Sequence, residues 1–230
     1  MTVKLEKFLF WLIIFLFAFI PLYPKFPLVN VAGTFVAVRA EDLFIALAYI
    51  TWAFYMVFSK KVTDFLKDKL NLAILLFFFI GLVSWFSANF LTHTTLPALS
   101  FLHWARRVEF MMLLPLAATV IKTKKQLFIS LATLAAVVFT VNIYALGQQY
   151  LNWPVVSTTN SEFSKGLILA LSPGARVNST FAGHYDLAVF LAMALVLISA
   201  LFFAVNKKIK IFSLGLGVLS LWVLIMTAAR

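Results

Sequence analysis

The sequence predicts an all-α fold, a polytopic bundle of about seven transmembrane helices. Of its 230 residues, 63% are apolar and only 12% are charged. Several apolar runs reach the roughly 20 residues that an α-helix needs to cross about 30 Å of hydrocarbon. These runs are continuously apolar, whereas the strands of a membrane β-barrel alternate apolar and polar residues. Short lysine-rich segments separate many of the runs, as expected of loops between membrane helices.

Seven segments have the length and apolarity of a membrane span. The first follows Lys4 and Lys7 as a secretory signal would, but it ends in prolines and lacks a small-residue cleavage site. We therefore expect it to be retained as a span. The predicted spans are about Leu5–Leu22, Arg39–Phe58, Leu70–Ala88, Ala98–Ile121, Leu127–Leu151, Asp186–Val205 and Ile211–Thr227. Together they predict a single transmembrane domain over residues 1–230.

Lysine and arginine are distributed differently along the chain. With the N-terminus in the cytoplasm, the cytoplasmic segments hold Lys4, Lys7, Lys60, Lys61, Lys67, Lys69, Lys122, Lys124, Lys125, Lys207, Lys208 and Lys210. This distribution follows the positive-inside rule and fixes the predicted orientation. The other cations are Lys25, Lys165, Arg39, Arg106, Arg107, Arg176 and Arg230. Arginine keeps its charge in a poor solvent and presents a fork of donors to phosphate, so this second group predicts an anion site facing outward.

Three outer segments connect the spans on the predicted outward side. Tyr23–Val38 is rich in proline and then in β-branched residues, so it should run extended along the interface. The second, Asn89–Pro97, is short, and the third, at 152–185, is the longest. Within it, Leu167–Leu171 is too short to span and should form a short element on the membrane surface. Because the chain ends at Arg230 as the seventh span emerges, we expect a C-terminally truncated fragment.

The fourth span carries the sharpest polar pattern. His103, Arg106, Arg107 and Phe110 fall on one helical arc, and Glu109 can pair with Arg106. Arg106 lies roughly 22 Å above the inner boundary, inside a core about 30 Å thick. An arginine there costs about 2.5–3.5 kcal/mol on insertion scales. Either both arginines snorkel to the outer interface, or they face a cavity that receives an anion. One carboxylate cannot neutralise two guanidinium groups, which favours the cavity.

The second span begins with another group of charges. Arg39 and Asp42 can pair within one turn, and acids in a first turn suit the positive end of the helix dipole. Glu41 is left to reach an arginine of another span. These charges either neutralise one another at the start of the helix or orient the outer loops through their contacts.

The third outer segment ends in eleven residues that combine a cation, hydroxyl groups, a histidine and an acid. They are Arg176, Val177, Asn178, Ser179, Thr180, Phe181, Ala182, Gly183, His184, Tyr185 and Asp186. Backbone N–H groups near Gly183 can bind an anion, and His184 with Asp186 can transfer protons. The alternative is that Asp186 caps the next helix and His184 is an interfacial polar residue.

Several classes of site have no basis in the sequence. Three scattered histidines and no cysteine give no convincing metal site. We expect no cofactor, since there is no phosphate-binding loop or dinucleotide turn. The net charge of +11 comes mostly from loop lysines beside anionic lipid, so no nucleic-acid partner is expected.

Four stretches resemble the O-antigen ligase and polymerase family of bacterial envelope enzymes. The main one is RVNSTFAGHYDLAVFL, Arg176 to Leu191, where Ser179-Thr180-Phe181 matches but residues 182–186 replace the usual Gly-Asn-Pro-Asn continuation. The others are Pro21–Pro27 followed by Val38–Asp42, then Arg106–Glu109, and finally Thr227–Arg230, with alanine in place of the usual serine. The resemblance runs over most of the chain.

The resemblance implies the N-terminal part of a GT-C type membrane glycosyltransferase. Such enzymes transfer a glycan from an undecaprenyl-diphosphate carrier to a glycan or lipid acceptor, on the outer face of the bacterial inner membrane and without a metal. Arginines hold the diphosphate, here Arg106, Arg107, Arg176 and Arg230, with Arg39 second. Supporting residues are Glu109, Glu41, Asp42, His103, Ser179 and Thr180. The catalytic histidine loop is expected beyond residue 230, with His184 and Asp186 as weak candidates.

Two other functions remain open at this stage. A transporter or flippase of an anionic lipid-linked substrate should have broken helices near mid-membrane and polar residues in the cytoplasmic half. The cytoplasmic halves here are almost wholly apolar, which argues against it. A non-catalytic assembly protein should have small-xxx-small helix interfaces, for which Gly215 and Gly217 are poor evidence.

Overall fold

The computed structural model describes residues 2–30, 37–156, 168–172, 174–204 and 206–227. The helices are α1 (Thr2–Leu22), α2 (Ala40–Phe58), α3 (Val62–Lys67), α4 (Lys69–Phe86), α5 (Pro97–Met111), α6 (Leu113–Val120), α7 (Lys124–Leu151), α8 (His184–Ala204) and α9 (Lys207–Met226). A π-helical turn, Ser87–Leu91, extends α4. Two short antiparallel strand pairs join β1 (Pro27–Asn30) with β2 (Ala37–Arg39) and β3 (Val155–Val156) with β4 (Ile168–Leu169).

Six helices in the described part of the chain are long and apolar enough to cross a membrane. They are Thr2–Leu22, Ala40–Phe58, Lys69–Leu91, Lys124–Leu151, His184–Phe203 and Ile209–Met226. Each coincides with a predicted span to within a few residues at either end. The prediction of a mostly helical chain with several helices able to cross a membrane is therefore confirmed.

The predicted fourth span, Ala98–Ile121, is not one continuous helix. It is divided into α5 and α6, with the break at Met112. Pro115 explains the position of the break, because proline has no N–H and its ring clashes with the carbonyl four residues earlier. That carbonyl belongs to Met111, where α5 ends.

By its internal contacts the chain divides into two compact units. Unit 1 comprises Met1–Phe15 and Asp42–Leu127. Its buried apolar side chains include Leu9, Ile13, Ile45, Ala48, Trp52, Met56, Leu116 and Val120. Between α1 and α2, the rings of Phe15 and Phe44 meet edge to face with centroids 4.9 Å apart. In a membrane such packing holds helices together, since lipid supplies no hydrophobic driving force between them.

Unit 2 comprises Leu16–Glu41 and Phe128–Arg230. Its core is built from α7, α8, α9 and the segment before α8, with Val137, Val138, Val141, Ala145, Val177, Leu187, Leu191, Ala194, Ile198, Leu216 and Val223. One buried polar contact crosses this core, from Asn142 Nδ2 to Ser220 Oγ at 2.8 Å. A polar contact of this kind fixes the register of α7 against α9.

The predicted outer segments contain the strand pairs. The extended conformation predicted for Tyr23–Val38 is found over β1 and the start of β2, with a bulge between Pro27 and Val29. The apolar stretch Leu167–Leu171 was predicted as a surface element, and its described part contains β4, which pairs with β3. Residues 31–36 and 157–167 lie outside the described residues.

Candidate functional site

In unit 1, Arg106 of α5 forms an ion pair with Asp42 of α2. The Nη2 to Oδ1 distance is 2.9 Å, and both side chains are partly buried. The guanidinium also lies over the ring of Phe110, 5.7 Å from its centroid. One helical turn of α5 thus presents the cation to both a carboxylate and an aromatic face, contacts that stabilise a guanidinium away from water.

The predicted arc on α5 separates into a packed side and an exposed side. Arg106, Glu109 and Phe110 are half-buried, whereas His103 and Arg107 are exposed. The backbone carbonyl of Glu109 accepts a hydrogen bond from the phenol of Tyr49 on α2. Within the described residues, Arg107 has neither an ion pair nor a side-chain hydrogen bond. Arg107 therefore presents its charge on the surface of unit 1.

In unit 2, Glu41 forms a buried ion pair with Lys25. The carboxylate of Glu41 is only 1% exposed and the side chain of Lys25 is 8% exposed. The ammonium also donates to the carbonyl of Ile20, and Arg39 Nη1 lies 3.6 Å from Glu41 Oε1. Glu41 thus has Lys25 and Arg39 beside it, and both of these cations lie in the segment between α1 and α2. Asp42 is paired with an arginine of another helix, Arg106 of α5.

Arg176 and His184 are in contact at the surface of unit 2. Arg176 Nη1 lies 3.2 Å from His184 Nε2. A guanidinium can only donate, so Nε2 accepts and the proton of the neutral imidazole is on Nδ1. Asp186, predicted as a helix-capping or proton-transfer residue, is exposed in the first turn of α8. This group can offer one guanidinium and one neutral imidazole to a ligand.

Ser179 and Thr180 are buried and hydrogen-bonded to backbone groups. Ser179 has a left-handed φ of 51°, and its hydroxyl donates to the carbonyl of Val141 at 2.7 Å. The hydroxyl of Thr180 donates to the carbonyl of Pro21. Both donors are used within unit 2, so these residues shape the segment before α8, and neither hydroxyl is directed at solvent.

Sequence reasoning missed the glutamine that holds this segment. Gln148 of α7 is 1% exposed. Its Oε1 accepts from Ser179 N at 2.8 Å, and its Nε2 donates to the carbonyls of Ser179 and Pro154 at 2.9 and 3.1 Å. Lys25 was also missed, although its position outside the cytoplasmic lysine clusters marked it as unusual. A long-range partner such as Gln148 leaves no local signal in the sequence.

A second charged cluster in unit 1 was not predicted. Tyr55, 1% exposed, donates to Glu6 Oε2 at 3.2 Å and accepts from Lys61 and Lys122 at 2.8 and 3.1 Å. Lys122 also forms an ion pair with Glu6 at 2.5 Å. Burial alone would lower the pKa of Lys122, but its hydrogen bonds to Glu6 and Tyr55 outweigh that effect and raise the pKa. The cluster joins the start of α1, the end of α2 and the end of α6, three places predicted to lie on the same side of the membrane.

The structure places the predicted arginines in both units. Arg106 and Arg107 belong to unit 1, and Arg39 and Arg176 belong to unit 2, whereas Arg230 lies outside the described residues. Among the described residues no group of three His, Asp or Glu side chains is arranged to hold a metal ion.

Comparison with protein-family models, with curated proteins and with solved structures finds no match for this chain.

Proposed function

We propose that this chain is an O-antigen ligase-like membrane glycosyltransferase of the bacterial inner membrane. It would transfer a glycan from an undecaprenyl-diphosphate carrier to a glycan or lipid acceptor on the outward face. The observation that carries the proposal is Arg107, which is exposed on a helix that the sequence predicts to be a span and has no ion pair among the described residues. An unpaired cation within a membrane costs considerable free energy unless it binds a ligand of opposite charge.

Arg106 and Arg107 have different roles in binding the diphosphate. The ion pair with Asp42 neutralises Arg106 and fixes this turn of α5, so the charge available to an anion is mainly that of Arg107. Guanidinium groups bind phosphate through two parallel N–H donors, and the sugar end of the carrier then remains in water. Within unit 2, taken by itself, Arg176 is an exposed guanidinium and a separate candidate, and Arg39 beside Glu41 is the weakest candidate.

The chemistry assigned to these arginines is stabilisation of the leaving group. In the transfer, the acceptor hydroxyl oxygen bonds to the anomeric carbon, and the bond from that carbon to the diphosphate oxygen breaks. The electron pair leaves with the carrier diphosphate, and the hydroxyl proton passes to a general base, for which His184 and Asp186 are the candidates in this chain. A guanidinium at the diphosphate stabilises the charge that develops there.

Glycan transfer by the purified protein tests the proposal directly. The full-length protein in proteoliposomes is given a fluorescent undecaprenyl-diphosphate oligosaccharide and an acceptor, and labelled product is separated by gel. We expect Arg107→Ala to reduce the initial rate roughly tenfold or more, the effect of losing a charged hydrogen bond. Lys124→Ala, which removes an exposed lysine elsewhere in unit 1, is the matched control. Wild-type rates for folded Arg106→Ala and Arg107→Ala proteins would exclude these residues from the site.

A transporter or flippase of an anionic lipid-linked substrate is the second candidate, because α5 and α6 form an interrupted helix. Met112 lies roughly 13 Å from Ile121 along a helix, near the middle of a core about 30 Å thick. Transporters place such interruptions at their substrate sites. Pro115 accounts for the break without transport, and prolines are tolerated in membrane helices. Movement of the labelled carrier between leaflets, without glycan transfer, would favour this second function.

A further inference from the structure

Unit 1 contains an amphipathic cavity of about 380 Å³ beside the Lys122 cluster. Its apolar wall includes Leu70, Leu114 and Ala118, and its polar side includes Lys61 and Asp64. The volume is within the range of small-molecule sites, roughly 300–1,000 Å³. The cavity lies where α2 ends, α3 begins and α4 begins, at the ends of two helices that can cross a membrane. On the topology predicted from the lysine clusters, lipid headgroups lie at this level of a bilayer.

The polar side of the cavity carries one cation and one anion that are not paired with each other. Lys61 donates to the phenol of Tyr55 at 2.8 Å, and among the described residues no carboxylate forms an ion pair with it. Asp64 is exposed, and its carboxylate has no ion pair or hydrogen bond within the described residues. By contrast, the other lining charges are engaged, since Lys122 contacts Glu6 and Asp68 accepts from the backbone of Asn71.

We propose that this cavity binds the headgroup of a zwitterionic phospholipid with a primary ammonium, the phosphatidylethanolamine type. The phosphate would contact Lys61 and the ammonium would contact Asp64. The glycerol and the first acyl carbons would lie along Leu70, Leu114 and Ala118. The inference does not depend on glycan transfer, because it uses the end of unit 1 that carries the lysine clusters and none of the candidate diphosphate-binding arginines.

The charges that line the cavity select among headgroups. The lining balances two lysines, Lys61 and Lys122, with two aspartates, so phosphatidylglycerol is disfavoured because it has no ammonium to pair with Asp64. Phosphatidylcholine has the same net charge as phosphatidylethanolamine, but its quaternary ammonium has no N–H to donate to Asp64. A primary ammonium forms charge-assisted hydrogen bonds with a carboxylate, which are about twice as strong as neutral ones.

Retention of lipid by the purified full chain tests the proposal. The protein is exchanged into detergent containing equal amounts of the three phospholipids, and bound lipid is counted by native mass spectrometry. We expect phosphatidylethanolamine to be retained about two- to fivefold over phosphatidylglycerol, the effect of an exposed ion pair. Asp64→Asn should abolish this preference, whereas Lys61→Gln should reduce retention of both lipids. Lys67→Gln, which removes an exposed lysine of the same helix α3, should change neither.

Two further measurements make the test decisive. Inorganic phosphate is added as a competitor, because displacement of bound lipid by phosphate alone would identify a simple anion site and overturn the proposal. Equal retention of phosphatidylethanolamine and phosphatidylglycerol by the wild type would also overturn it, as would an unchanged preference in Asp64→Asn. Thermal unfolding of each variant in the same detergent verifies that it is folded; the exposure of Asp64 makes its substitution structurally mild.

Discussion

Asp42 of α2 accepts a hydrogen bond from Arg106 of α5 at 2.9 Å, across 64 positions of the sequence. Two turns further along α2, the phenol of Tyr49 donates to the backbone carbonyl of Glu109. Two polar contacts therefore set the register of one helix against the other. In lipid such contacts determine which helix faces pair, because apolar surfaces gain little from association there.

The Asp42–Arg106 pair should have a measurable coupling energy. Removing either partner leaves a partly buried charge, so we expect Asp42→Asn and Arg106→Gln each to lower the free energy of unfolding by about 1–3 kcal/mol. The double variant should be less destabilised than the sum of the two single variants. Unfolding in mixed detergent micelles gives the energies, with Asp186→Asn, at an exposed acid of unit 2, as the control. Additive effects would show that the pair contributes no stability.

The sequence allowed the membrane fold to be predicted because length and hydropathy suffice to identify a span. Each of the six helices that can cross a membrane was predicted, since an apolar run of about 20 residues has few alternatives. The break between α5 and α6 was missed, although Pro115 is the signal for it. The backbone effect of a proline is local, but hydropathy averaged over a whole span conceals it.

The candidate site was predicted less completely because its contacts are non-local. Helical spacing correctly marked Arg106 as a residue that needs a partner, but spacing suggests only neighbours such as Glu109. The structure shows an ion pair with Asp42, a residue on another helix that this spacing does not point to. The partnership of Lys25 with Glu41 likewise depends on how the chain folds back between α1 and α2. A single sequence carries no direct record of such pairs.

The buried Lys25–Glu41 pair should be sensitive to loss of either partner. Glu41→Gln leaves a buried ammonium without its counter-charge, so we expect a loss of about 3–5 kcal/mol in unfolding free energy. Lys25→Met should be similarly destabilising, whereas Lys7→Met, at an exposed lysine, should have little effect. Replacing both partners, as in Lys25→Met with Glu41→Leu, should recover much of the loss, because apolar substitution of a buried pair is often neutral. If the double variant recovers no stability, then other contacts of these two residues, and not their ion pair, provide the stability.

The contribution of Lys122 to this cluster should weaken as the pH rises into the alkaline range. Because hydrogen bonds to Glu6 and Tyr55 raise the pKa of Lys122, its stabilisation is fully present below the unfolded value of about 10.4. It is lost as pH rises through the higher pKa of the folded state. We therefore expect the stability difference between wild type and Lys122→Gln to be constant near neutral pH and to shrink above about pH 10.4. Lys124→Gln should show no such change, and a difference that already shrinks below about pH 9 would contradict the assignment.

Gln148 should determine the conformation of the segment before α8. Gln148→Leu removes the partners of the Ser179 N–H and carbonyl groups, which lie in the interior of unit 2. Each buried polar group left without a partner costs about 1–3 kcal/mol, so we expect a loss of at least about 2 kcal/mol in unfolding free energy. Gln149→Leu is the matched control, because Gln149 is half-buried on the same helix. The same segment carries Arg176, a candidate diphosphate ligand, so glycan transfer per folded protein should also fall in Gln148→Leu. A large loss of activity in fully folded protein would mean that this segment contacts the substrate.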